Sequence, residues 1–142
     1  MRDINKIKII KRIDFIKMEL QDMRRYENIT YEEYKIDRNN QRIIERIIEN
    51  IANALIDIIK ITLSEFDIPI PDTYREIILS LREIKFFENI NYDQLSEIAR
   101  MRNILAHQYL DIRWGLIEKF IKNEIGEIEK LIKDFEIMLE SN

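Results

Sequence analysis

Cysteine is absent from these 142 residues, so neither a disulfide framework nor a thiolate metal site can be built from them. Valine is missing as well, and only two glycines and two prolines interrupt the chain. With so few breakers, long uninterrupted elements are expected. No apolar run approaches the roughly 18 residues that a membrane-spanning helix requires. Residues 1–15 are charged throughout and show no secretion-type apolar stretch, so the expectation is a cytoplasmic protein. The net charge of −4 argues against a broad electrostatic grip on nucleic acid and leaves only local contacts with a polyanion. Imidazole is nearly absent too: His107 is the one histidine.

What is present fits one soluble domain over residues 1–142, with 46% apolar and 35% charged residues. Isoleucine fills the apolar positions, and its spacing decides for helix. Between Arg38 and Phe66, Ile44, Ile47, Ile48, Ile51, Leu55, Ile58, Ile59 and Thr62 recur at three- and four-residue steps, one wide helical stripe. No segment alternates as a half-buried strand does.

The pattern predicts five helices. The first covers about Asp3 to Arg24, with Ile9, Ile13, Ile16, Leu20 and Met23 inward, followed by a polar connector holding Tyr26, Tyr31 and Tyr34. Those tyrosines either stack on bases or, more simply, pack over the first two helices. The second begins after Asp37, a natural N-cap, and ends before Asp67-Ile68-Pro69-Ile70-Pro71, where proline forbids continuation. The third opens on the capping-box pattern Thr73-Tyr74-Arg75-Glu76 and reaches about Phe87.

Asn91 with Gln94 starts the fourth, which runs into the segment around His107. Asp111 is placed to cap the fifth, whose inner face reads Trp114, Ile117, Phe120, Ile121, Ile125, Ile128, Leu131, Ile132, Phe135 and Met138. Gly115 and Gly126 lie inside that helix and permit either a close helix contact or a bend. Long helices with short connections predict an all-α antiparallel bundle with a four-helix core.

The chemistry concentrates in Arg102-Asn103-Ile104-Leu105-Ala106-His107-Gln108-Tyr109. A guanidinium offers phosphate a planar fork of donors, and imidazole transfers protons near neutrality. Arg100, Arg102 and Arg113 against Glu97 and Asp111 give the surroundings a slight positive excess. One straight helix cannot aim both groups at one atom, because five residues turn the chain by about 140°. Asn103 and His107 share a face, as do Arg102 and Tyr109. Either the helix distorts or ends near His107, or a second subunit completes the site. The plain alternatives are a histidine that answers a helix C-terminal dipole and a tyrosine that packs at a helix end. Asp57, set in an apolar run, either pairs with an arginine near this groove or lies exposed at the stripe edge.

The Arg-Asn, four intervening positions, His and x-Tyr resemble the signature of the HEPN superfamily, and more closely the HepT-type toxins encoded beside small nucleotidyltransferases. Glu45-Arg46, Asn53-Ala54-Leu55-Ile56-Asp57-Ile58, Pro71-Asp72-Thr73-Tyr74-Arg75-Glu76 and the closing amphipathic helix extend the likeness over nearly the whole chain. The resemblance implies a HEPN-like homodimeric bundle with its active site at the dimer interface. It implies a metal-independent endoribonuclease, without cofactor, that leaves a cyclic phosphate. Arg102 would stabilise the transition-state charge, His107 would act as general acid or base, and Asn103 would orient the imidazole or the scissile phosphate. Tyr109 resembles the tyrosine to which a partner nucleotidyltransferase antitoxin, of the MNT type, attaches AMP. The alternative is a non-catalytic helical dimer that binds such a partner or RNA.

Overall fold

Asp37 starts the longest helix of the molecule. Its carboxylate accepts from the Asn39 and Asn40 amides at 2.8 and 3.4 Å, which satisfies donors that have no partner inside a helix. The computed structural model of the chain describes residues 1–105 and 110–141. Within them lie seven α-helices and no strand: α1 Asp3–Met23, α2 Tyr31–Ile36, α3 Arg38–Glu65, α4 Tyr74–Ser80, α5 Tyr92–Ile104, α6 Leu110–Lys119 and α7 Ile125–Glu140. The all-α bundle is as expected. The number of helices is larger.

Two differences account for the larger number: the tyrosine connector is itself helical, and the expected fifth helix divides into α6 and α7 at Phe120–Glu124, while the helix expected from Thr73 is only shortened. The tyrosine connector folds into α2, because Thr30 and Glu33 close a capping box across its first turn. The third helix stops at Ser80 and continues as two 3-10 turns, Leu81–Glu83 and Lys85–Phe87. Thr73 caps α4 by accepting from the Glu76 amide. Asn91 caps α5 in the same way through Gln94. Asp111, expected as a cap, lies within α6 as described over Leu110–Lys119.

Helix α3 ends through a left-handed residue. Asp67 adopts φ 56°, and the Ile68 amide reaches back to the Leu63 carbonyl at 2.9 Å. This is a Schellman-type stop, with aspartate in a place usually given to glycine. The prolines then carry the chain to α4.

Contacts between α1 and α3 run in descending order: Arg2 and Asn5 with Glu65, Arg12 with Asp57, Glu19 with Asn50. The two helices are therefore antiparallel. Every position of the α3 stripe is buried, and Ile9, Ile13, Ile16 and Met23 of α1 meet it. Ile117, Phe120, Ile128, Leu131, Phe135 and Met138 complete the same core, each fully buried isoleucine or phenylalanine contributing about 1.5–3 kcal/mol. Tyr26 and Tyr34 are buried too, so they pack instead of presenting rings to a base. Among the described residues no helix is long and apolar enough to cross a membrane.

The last helical region is not one regular helix. Phe120–Glu124 forms a π-helical turn between α6 and α7. The extra residue resets the phase, so Glu124 takes an inward position while Ile121 and Ile125 are only half-buried. Neither glycine causes this. A Cβ built on Gly115 or Gly126 would meet no atom within 4 Å, and the irregular turn lies between them.

Candidate active site

Helix α5 is fixed by its inward residues Leu95, Ser96, Ile98, Ala99 and Met101. Arg102 follows on the last turn, half-buried between α3 and α4. Its Nε donates to Asn53 Oδ1 at 2.7 Å, and its guanidinium carbon lies 4.5 Å from the centre of the Tyr74 ring. One edge of the guanidinium is thus hydrogen-bonded and one face stacked. The two terminal nitrogens make no hydrogen bond among the described residues. They form the paired-donor edge that matches two oxygens of a phosphate.

The α3 and α4 geometries bring this about. Ala52 and Ala54 turn into the core, which leaves Asn53 at the edge facing α5. Tyr74 is the first residue after the Thr73 cap, so the cap sets where its ring begins. Asparagine is a neutral acceptor, and it orients Arg102 without neutralising it.

The expected positive excess narrows to this one group. Arg100 lies 3.4 Å from Glu97, and Arg113 lies 3.1 Å from Glu45. Among the described residues Arg102 has no carboxylate partner.

Beyond residue 109 the chain is tied to α3 a second time. Arg113 of α6 meets Glu45 inside a cluster with Tyr34 and Trp114, whose rings lie 5.4 Å apart. Glu45 Oε1, Arg113 Nε and the Tyr34 hydroxyl are buried without hydrogen-bond geometry to any described partner. Burial raises the Glu45 carboxyl above its ordinary value, and Arg113 opposes that shift. Burial, reinforced by the nearby Glu45 charge, pushes the Tyr34 phenol to about 12. Both flanks of the motif are therefore anchored on one helix, by Asn53 before it and Glu45 after it.

Asn103 is exposed beside Arg102 at the end of α5. Among the described residues α5 ends at Ile104. His107 and Tyr109 lie outside the described residues. Asp57 is exposed and lies 3.5 Å from Arg12 of α1, so its arginine partner is not Arg102. Glu45, Asn53 and Tyr74 entered from the sequence within the resembling segments, and Arg113 within the positive excess, none with a role of its own. The available signal was weak: a polar residue in the apolar run of α3, and a tyrosine just inside a cap.

Comparison with known proteins gives the family. The family model described as ribonuclease HepT-like matches residues 16–135. A similar relative is a tRNA nuclease HepT of Aphanizomenon flos-aquae (strain 2012/KM1/D3). It is 29% identical over 112 residues, covering 79% of this chain and 76% of that protein. The matched region takes in α3, α4, α5 and both anchors of the motif, and on that match the chain belongs to the HepT-like ribonuclease family, whose chemistry is the cutting of RNA.

Proposed function

We propose that the protein is the toxin of a toxin–antitoxin pair and cuts RNA through Arg102 and His107, with Asn103 in support. The observation that carries the reading is the paired-donor edge of Arg102, held by Asn53 and Tyr74 and left free of any described carboxylate. RNA supplies its own nucleophile. His107 in its basic form takes the proton of the 2′-hydroxyl, whose oxygen attacks the adjacent phosphorus. The bond from phosphorus to the 5′-oxygen breaks, and the leaving oxygen takes a proton from solvent or from a second histidine. A 2′,3′-cyclic phosphate and a 5′-hydroxyl result. Arg102 stabilises the additional charge on the phosphoryl oxygens as it develops, a contribution commonly worth about 10²–10³ in rate.

We place the working site at the interface of a homodimer. Two motifs facing across a two-fold axis would bring Arg102 of one subunit toward His107 of the other. Tyr109 is the proposed point of control: AMP attached there by a partner nucleotidyltransferase adds a phosphate that competes for Arg102 and fills the groove. The relative's substrate makes tRNA the first RNA to test.

Expression in cells and assay on purified RNA check the nuclease directly. Wild type should arrest growth and leave cyclic-phosphate ends, and His107→Ala should do neither. Equal behaviour of the two would sink the reading. Co-expression with the neighbouring nucleotidyltransferase should add the mass of AMP at Tyr109 and nowhere on Tyr109→Phe.

A further inference from the structure

Helix α3 carries a second feature on the edge that holds Asn53. Arg42 and Arg46 sit one turn apart, and at about 100° per residue both fall within about 20° of Asn53 around the helix axis. At about 1.5 Å per residue, Arg46 lies roughly 10 Å and Arg42 roughly 16 Å along the axis from Asn53. Both arginines are exposed. With Arg25 from the end of α1 they line a groove of about 670 Å³ whose inner wall is Tyr26 and Ile47.

Charge in the groove favours an anion. Arg25 and Arg42 make no ion pair among the described residues. Arg46 has only a loose contact with Glu49, 3.8 Å away and exposed on both sides, a pair of the kind worth about 0–1 kcal/mol. The lining sets Arg25, Arg42 and Arg46 against two carboxylates, Glu19, which accepts from the neutral Asn50 Nδ2 at 3.5 Å and keeps its charge, and Asp22, so the excess is positive.

We propose that Arg42 and Arg46, assisted by Arg25, form a phosphate track on α3 that holds the ribose-phosphate backbone of single-stranded RNA as it leaves Arg102. This deepens the ribonuclease reading and rests on it. The contacts are with phosphate, so they add affinity and direction but no base preference. Their spacing from Arg102 means that a dinucleotide reaches the Arg102 end alone, while a longer strand also covers the track.

The test compares wild type with R42Q/R46Q and R42K/R46K. Binding of a fluorescein-labelled single-stranded 2′-O-methyl RNA, which lacks the attacking hydroxyl, is followed by anisotropy across salt concentrations. The glutamine pair should bind about tenfold more weakly at low salt. Its plot of log affinity against log salt should flatten by about 1.4, at about 0.7 per lost phosphate contact. The lysine pair should recover most of the affinity, which separates lost charge from damaged structure. Cleavage of long RNA should show a larger rise in KM for the glutamine pair than cleavage of a dinucleotide. Wild-type affinity and salt slope in the glutamine pair, beside a cutting wild type, would overturn the track and leave the ribonuclease standing. A wild type that neither binds nor cuts RNA would remove both.

Discussion

In the proposed site, the value of Arg102 is that it is half restrained. The Asn53 bond and the Tyr74 ring hold the guanidinium in place, so little rotamer freedom remains to be lost when phosphate arrives. Lysine would keep the charge but lose the bond from Nε, the flat stack and the two-pronged edge. Arg102→Lys should therefore lower kcat on RNA by about 10²-fold while the circular-dichroism melt stays close to wild type. A loss below about threefold would show that charge alone suffices there. The arginine itself stood out in the sequence through its place in the motif. Its partners did not, because Asn53 lies 49 positions away and only the crossing of α3 and α5 brings the two together.

At the scale of elements, legibility followed the strength of local signals. Helix α3 could be read whole: an aspartate cap, an unbroken isoleucine stripe and two prolines beyond its end all agree. Helix α2 carried only one such signal, the Thr30 to Glu33 pair, and it is too short to show a period. The π-helical turn carried none. A regular 3.6-residue phase points Ile121 and Ile125 inward, whereas packing against the core selected the inserted residue and turned Glu124 in instead. The glycines left open a close helix contact or a bend there, and neither meets a neighbour within 4 Å of a built Cβ. Gly126 is exposed in regular helix with open space where a Cβ would go, so Gly126→Ala should raise stability by about 0.5–1 kcal/mol in urea titration. A fall in stability would mean that the glycine has a packing role.

For the molecule as a whole, Glu124 ties stability to pH. It is 1% exposed, and burial raises its carboxyl from 4.5 to about 7; Lys119 works against the shift and Glu97 adds to it. A carboxyl whose folded value lies above its unfolded value binds its proton more tightly in the native state. Its contribution is therefore complete below about pH 4.5 and is lost as pH rises toward 7. Replacing it with the neutral isostere removes that loss. Glu124→Gln should match wild type near pH 4.5 and exceed it by about 1–3 kcal/mol at pH 8, measured by chemical denaturation at each pH. Parallel stability curves for the two proteins would refute the assignment.

The two anchors on α3 also decide which changes of chain length the fold can absorb. Asn53 and Glu45 are eight residues apart on one hydrogen-bonded helix, so about 12 Å of rigid backbone separates the points that hold Arg102 and Arg113. A residue added to the connector between α1 and α2 changes a loop. The same residue added to α3 between positions 45 and 53 would rotate one anchor by about 100° relative to the other and turn the isoleucine stripe out of phase. Related chains should accordingly vary in length around residues 27–30 and 67–73 while keeping the interval from Glu45 to Asn53 constant. In this protein the spacing within a helix that contains no motif sets the length of the motif's own frame.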